Sequence, residues 1–215
     1  MIVGLVCFDM DGTLVDGETI VLMAKAHGCE NEVKKITDLA MNGLLPMADA
    51  YKLRLNLLKG ISQKILEDIG DNLELMPGVE ETIIELKNQG FIIAIITGSF
   101  DIFAKKIAKR IDANYCIANK MEIKNKIFTG NYLLNVFENK EVHVETLKKR
   151  IRAKTIIAVG DGANDISMLK FADIGVGFCA KEIVHKFADE LIKEKNMLEL
   201  LNIIKSRGII PLLKE

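Results

Sequence analysis

Phe8-Asp9-Met10-Asp11-Gly12-Thr13-Leu14-Val15 is the stretch that decides the fold. It follows an apolar run, Ile2 to Phe8, that reads as a buried strand. Two carboxylates therefore stand at the C-terminal end of that strand. Side chains alternate along a strand with period two, so Asp9 and Asp11 point to one side and Phe8 and Met10 to the other. Two acids this close repel each other unless a cation or a shared proton intervenes. A divalent metal is the economical solution, and hard oxygen ligands suit Mg²⁺. Gly12 permits a tight turn, and Thr13 offers a hydroxyl and a backbone N–H to an anion.

Beyond Val15 the rhythm becomes helical. Apolar residues at helical spacing predict helices over Glu18 to Ala26, Asn31 to Met41 and Met47 to Leu58, with Pro46 suited to a first turn. A fourth helix is expected from a cap at Ser62 to Ile69. No strand-like run interrupts residues 16–75, so they read as one helical block. From Pro77 the pattern alternates. A helix, Val79 to Asn88, stops at Gly90. The unbroken apolar runs Phe91 to Ile96, Thr155 to Val159 and Ile174 to Val176 read as strands buried on both faces. Tyr115 to Ala118 adds a candidate strand, and Glu122 to Leu133 a small hairpin turning near Lys124-Asn125-Lys126. Helices fill Asp101 to Arg110, Lys140 to Arg150, Asp165 to Phe171, Glu182 to Phe187 and Met197 to Ile204. The expected fold is α/β, a doubly wound, Rossmann-like parallel sheet with a small helical cap inserted after the first strand. Residues 1–15 and 76–215 form the core and 16–75 the cap. Ligands in such sheets bind outside the carboxyl ends of the strands, where Asp9 and Asp11 sit.

Other strand ends carry polar groups. Thr97-Gly98-Ser99 closes the second apolar strand. A hydroxyl, a glycine and a helix start can hold a phosphate, yet Ser99 would equally make a plain helix cap. Gly160-Asp161-Gly162-Ala163-Asn164-Asp165 closes the third. Asp161 can reach a metal shared with Asp9, Asn164 can supply a neutral ligand or orient phosphate, and Asp165 can steady a nearby cation. Lys140 begins a helix, where the dipole opposes its charge. It is either a solvated lysine or one held there for chemistry.

Composition sets wider bounds. The chain has 215 residues, 49% of them apolar, and a net charge of −1, which gives no global reason to bind nucleic acid or an anionic membrane. Cys7, Cys29, Cys116 and Cys179 are scattered without a paired motif, which suits a reducing cytoplasm. The apolar start lacks a basic flank and is soon cut by Asp9, so neither a signal peptide nor a membrane span is expected. The basic run Lys148-Lys149-Arg150 has no interleaved aromatics and reads as a solvated face.

Taken in order, Asp9 and Asp11, Thr97, Lys140, and Asp161, Asn164 and Asp165 resemble the four motifs of the haloacid dehalogenase superfamily of phosphohydrolases. The resemblance narrows to phosphoserine phosphatases through Gly17-Glu18-Thr19, Val33-Lys34-Lys35-Ile36-Thr37, Met41, Arg54, Val159 to Met168 and Phe178-Cys179-Ala180-Lys181. It implies a Mg²⁺-dependent phosphomonoesterase. Asp9 would attack phosphorus, and Asp11 would act as general acid and base. Asp9, Asp161 and the Asp11 backbone carbonyl would hold the metal, backed by Asp165. Thr97, Gly98, Lys140 and Asn164 would bind phosphate. Glu18 would take the substrate ammonium and Arg54 its carboxylate, with Met41, Met47 and Ser99 lining the rest. A zwitterion independently demands one acid and one base, and Arg grips carboxylate bidentately. Glu18 can also be read as an ordinary helix-start acid and Arg54 as a surface charge. The pattern departs from the family at Thr97, usually Ser, at Ser99, usually Gly, and at Met47, usually Phe. The hydroxyl survives at Thr97, whereas the changes at Ser99 and Met47 leave open a broader small-molecule phosphatase or phosphotransferase. A non-catalytic phosphoamino-acid sensor is a third reading, disfavoured because a binder needs no nucleophile. The expected partner is a small phosphorylated metabolite. The sequence is silent on oligomeric state.

Overall fold

The computed structural model describes residues 3–41 and 44–209, with Met41 and Met47 described by backbone alone. Its first strand is β1 (Gly4–Phe8), buried along its whole length. Four helices follow: α1 (Thr19–His27), α2 (Glu30–Met41), α3 (Met47–Leu57) and α4 (Gln63–Asp71). Gly28 ends α1 in a left-handed conformation, φ 77°, which costs glycine little. Ser62 caps α4 by accepting from the Ile65 amide at 3.2 Å. Next come α5 (Val79–Asn88), β2 (Phe91–Phe100), α6 (Asp101–Arg110), β3 (Tyr115–Lys124) and β4 (Ile127–Leu133). The chain closes with α7 (Lys140–Ile151), β5 (Thr155–Gly160), a 3₁₀ turn at Ala163–Asp165, α8 (Ile166–Phe171), β6 (Ile174–Phe178), α9 (Glu182–His185), β7 (Glu190–Ile192) and α10 (Glu199–Ser206).

The strands form one seven-stranded sheet in the order β4-β3-β2-β1-β5-β6-β7. Among the described residues the β3–β4 pair alone in this sheet is antiparallel. Because β2 lies on one side of β1 and β5 on the other, the winding reverses at β1. The crevice for ligands therefore opens at its C-terminal end, beside Asp9. Alternation along β1 feeds both faces. Val6 and Phe8 pack with Ile83 of α5, Phe103 of α6 and Leu200 of α10, while Leu5 and Cys7 pack with Val144 of α7, Met168 of α8 and Val184 of α9. Each such buried side chain contributes roughly 1.5–3 kcal/mol, against about 0–1 for an exposed pair such as Lys64–Asp68. The two sheet faces, rather than surface ion pairs, hold the fold.

The structure extends several expected elements. β2 runs on through Thr97-Gly98-Ser99 to Phe100 instead of ending at Ile96. Ser99 consequently does not cap α6. The cap position is Phe100, without a side-chain bond, because the Ser99 amide and hydroxyl are engaged elsewhere. The helix expected from Asp165 begins at Ile166, after the 3₁₀ turn. The hairpin turns at Asn125 and Lys126, both with positive φ, as a two-residue turn of that hand requires. The hairpin then docks on the α3–α4 link, where the Gly60 amide donates to Phe128 O at 2.9 Å and the Gln63 amide to Lys126 O at 2.8 Å. Met23 and Ala24 of α1, Val33 of α2, Leu55 of α3 and Leu66 of α4 share one apolar cluster with Phe8 and Met10. The helical block thus lies over the carboxyl ends of β1 and β2.

Candidate active site

The Asp9 amide donates to Val159 O at 2.9 Å, continuing the β1–β5 ladder one residue past β1. This sets Asp9 beside Gly160-Asp161. Gly12, φ 75°, allows the next turn to press inward, since a Cβ there would lie 2.9 Å from Asp161 Oδ2. Lys140, the first residue of α7, is fully buried. Its Nζ lies 2.5 Å from Asp9 Oδ1 and 2.6 Å from Asp165 Oδ1. Two carboxylates therefore offset the unfavourable dipole, and the solvated-lysine reading fails. Asp165 Oδ2 accepts from the Asp161 and Gly162 amides at 3.0 and 2.9 Å, and Asn164 Nδ2 lies 3.4 Å from its Oδ1. Asp165 is thus the brace of the β5 turn.

Asp9, Asp161 and Asp165 each present an oxygen within 4.8 Å of the others. Burial is the largest force on Asp9 and raises it well above the usual carboxylate range. The charges of Asp165 and Asp161 add to this, against Lys140. Burial, with Asp165 and Glu18, pushes Asp161 up to about 6 against Lys181. Such crowded, buried carboxylates call for a hard cation, and an all-oxygen donor set fits Mg²⁺ or a close analogue. Both oxygens of Asp165 already accept from N–H donors, while Asp9 meets Lys140 through Oδ1 and Asp161 meets Lys181 loosely, which leaves Asp9 and Asp161 more open to a metal than Asp165. The Asp11 carboxylate stands outside this group; only its backbone could join it.

Asp11 turns instead to α1. Its Oδ2 accepts from the Thr19 amide at 3.0 Å and the Thr19 hydroxyl at 2.6 Å. The Ser99 hydroxyl lies 2.6 Å from that of Thr19. With Thr19 donating to the carboxylate, Ser99 donates to Thr19. Asp11 Oδ1 is buried and has no hydrogen-bond partner among the described residues. Burial and the nearby Glu18 push Asp11 up to about 7, against the Thr19 bonds. A carboxyl with one oxygen saturated and the other free, titrating near neutrality, can carry a proton on Oδ1.

Thr97 is buried, and its Oγ1 accepts from the Ser99 amide at 3.0 Å. Gly98 O accepts from Asn119 Nδ2 at 2.8 Å, with the Tyr51 hydroxyl at 3.4 Å. Asn119 in turn receives the Asn135 and Val136 amides at 2.8 Å each. Glu18 stands exposed at the N-cap position of α1, a helix-start acid by place, but its side chain makes no cap bond and lies 4.0 Å from Lys181 Nζ. Arg54 is half-buried on α3, where its Nε donates to Ala50 O and Nη1 to Thr37 Oγ1. Burial lowers its guanidinium, with Tyr51 and Glu18 opposing, so Arg54 and Glu18 feel each other's charge. The side chains of Met41 and Met47 lie outside the described residues.

Sequence reasoning assigned no role to Thr19, Tyr51, Asn119 or Lys181. Lys181 Nζ lies 3.5 Å from Asp161 Oδ2 and 4.0 Å from Glu18 Oε1. Burial opposes its charge, but Asp161 and Glu18 outweigh that and raise it. The signal for Thr19 and Lys181 was present, in Gly17-Glu18-Thr19 and Phe178-Cys179-Ala180-Lys181. Asn119 was visible only as a polar residue beyond an apolar strand.

Comparison with known proteins agrees with this geometry. A haloacid dehalogenase-like hydrolase family model matches residues 6–170. The phosphoserine phosphatase of Methanocaldococcus jannaschii is 39% identical over 206 residues, covering 94% of this chain and 97% of that protein. The Campylobacter jejuni subsp. doylei phosphoserine phosphatase is 37% identical over 203 residues, 92% of this chain and 97% of that one. A solved substrate-bound phosphoserine phosphatase complex superimposes with a TM-score of 0.87 at 38% identity, covering 93% and 97% of the two chains. Among the described residues no helix is long and apolar enough to cross a membrane. With its motif residues gathered at the winding reversal and its similarity extending along nearly the whole length, this chain belongs to the haloacid dehalogenase-like hydrolases, in the phosphoserine phosphatase family.

Proposed function

We propose that the protein hydrolyses phosphoserine to serine and phosphate through an aspartyl phosphate on Asp9, with Mg²⁺ as its metal and the cytoplasm as its compartment. The observation that carries this is the division of labour between the two acids of the first motif. Asp9 is paired with Lys140 inside the acidic group, while Asp11 is held apart with a free Oδ1. Asp9 forms a bond to phosphorus as the bond to the serine oxygen breaks. Asp11 gives its Oδ1 proton to that leaving oxygen. Asp11 then takes a proton from water, the water oxygen bonds to phosphorus, and the bond to Asp9 breaks. Thr97, Gly98, Lys140 and Asn164 surround the phosphoryl group, and Lys140 keeps a fixed positive charge there. Asp9, Asp161 and the Asp11 carbonyl would hold Mg²⁺, which when bound draws charge off the phosphoryl oxygens. Residues 16–75 act as a cap that excludes bulk water and carries Glu18 and Arg54 to the amino-acid head group. The four unpaired cysteines support a reducing compartment.

Metal dependence follows from the donor set. Phosphate release is expected to vanish in chelator, to return with Mg²⁺ and to return poorly with Ca²⁺, which prefers more ligands at longer range. Full activity in chelator would remove the metal from this reading.

Head-group recognition is tested at Arg54. Phosphoserine is expected to exceed a sugar phosphate of similar size by more than about tenfold in kcat/KM, or about 1.4 kcal/mol. Arg54→Ala should erase that preference and spare aryl phosphate hydrolysis, because Arg54 meets the carboxylate and not the phosphorus. Equal use of both substrates by the parent would favour the broader phosphatase suggested by Ser99 and Met47. A preference that survives Arg54→Ala would take Arg54 out of the site.

A further inference from the structure

Lys181 is a charged residue over the site that the proposed chemistry does not use. It follows β6 through Cys179, which adopts a positive φ of 44°. That turn directs the Lys181 backbone to the β5 turn, where its amide donates to Asp161 O at 2.9 Å. The same residue thus meets Asp161 twice, at the main chain and at the carboxylate. Its ammonium is about half-exposed and stands between a core carboxylate, Asp161, and a carboxylate of the helical block, Glu18. The separations of 3.5 and 4.0 Å are those of a loose ion pair rather than a saturated one. A lysine head is a compact, strongly hydrated charge on a flexible stem, so it can trade one partner for another. Contrast Lys140, whose ammonium is sealed between Asp9 and Asp165 at hydrogen-bond distance and cannot leave without stranding buried charge.

We propose that Lys181 is a resident counter-cation of the site, which competes with the divalent metal for Asp161 and so sets how much free metal is needed to load the enzyme. The inference rests on the reading of Asp9 and Asp161 as the metal-holding carboxylates. Its logic is charge balance. The acidic group is under-neutralised by Lys140 alone, and Lys181 supplies the balance from the rim. A metal arriving at Asp161 replaces that service and is repelled by the ammonium, which moves toward Glu18. Lys181 is itself about half-exposed, so its replacement opens no cavity in the core, and the Asp161 carboxylate it leaves without a cation is the group the metal takes up.

Isothermal titration of Mg²⁺ into the full chain, stripped by chelator, tests this without reference to turnover. Lys181→Met is expected to bind Mg²⁺ about fivefold more tightly than the parent, the scale of one screened like-charge contact at a half-exposed position. Lys181→Arg, which keeps the charge, should bind like the parent. Asp161→Asn should lose most binding. If Lys181→Met binds Mg²⁺ equally or more weakly while Asp161→Asn loses it, the competition is refuted and the metal site stands. If Asp161→Asn still binds normally, the metal site is elsewhere and the inference falls with it.

Discussion

Asp9→Asn is expected to abolish phosphate release, by about 10⁴-fold or more, while leaving the metal-free protein no less stable. The amide is a poor nucleophile and removes one negative charge from the metal-holding group, so chemistry loses on both counts. Stability moves the other way. The Asp9 carboxyl is raised in the folded protein, first by burial and then by Asp165 and Asp161. A raised acid binds its proton more tightly folded than unfolded. Its ionisation therefore costs nothing below the unfolded pKa, and the cost grows with pH until the folded pKa is passed. At neutral pH the folded protein bears that cost, and asparagine lifts it. Lys140 keeps Asp165 as a partner, so no buried ammonium is stranded. Melting in chelator at pH 7 should show an unchanged or higher midpoint, beside a phosphate assay at background. Acid-stable trapping of the phosphoenzyme should place the adduct on Asp9 in the parent. An adduct on another residue, or a variant that still turns over, would move the nucleophile.

How much of this was readable from the residues depends on the distance over which each feature is determined. Buried parallel strands announce themselves locally. Phe91 to Ile96 and Thr155 to Val159 are apolar runs too short for most helices and bounded by polar turns, so the sheet core was legible. The first and fourth motifs were legible because acids and glycines at strand ends have few other uses. The partners of those residues were not. Nothing local says that Lys140 is buried, since a lysine opening a helix reads the same whether solvent or two aspartates receive it. Only the juxtaposition of α7 with the ends of β1 and β5 decides it. The extent of β2 was missed for a related reason. Thr97-Gly98-Ser99 carries turn-forming residues, but tertiary bonds to Asn119 and Thr19 hold it extended. β7 escaped notice because three residues beginning with Glu190 are too few for any period to show, and the pairing with β6 supplies what the sequence lacks. Asp11 was placed by alternation on the same side as Asp9. The partners of Asp11 were not legible there: Thr19, eight residues on, holds its Oδ2 through both amide and hydroxyl, and only the placement of α1 decides that.

Lys140→Met should damage both chemistry and stability, and the two can be separated. Removing the ammonium leaves Asp9 and Asp165 buried and facing each other without a cation. Breaking a buried pair in this way typically costs about 3–5 kcal/mol, or on the order of 10 °C in melting midpoint for a chain of this size. The chemical loss has a different origin. A fixed positive charge beside the nucleophile strengthens its contact as charge develops on the phosphoryl oxygens, and such contacts carry roughly 10²–10³ in kcat. Adding Asp165→Asn to Lys140→Met removes one stranded carboxylate, and the amide oxygen can still accept the Asp161 and Gly162 amides that Asp165 Oδ2 now receives. The double variant should recover much of the melting midpoint and none of the lost kcat. Recovery of both would mean that Lys140 acts only by holding the β5 turn in place. A kcat for Lys140→Met within about threefold of the parent, some 0.7 kcal/mol, would reduce it to a structural counter-ion. With stability restored and turnover still absent, the ammonium acts on the reacting phosphoryl group, and the buried carboxylates of Asp9 and Asp165 are what keep it there.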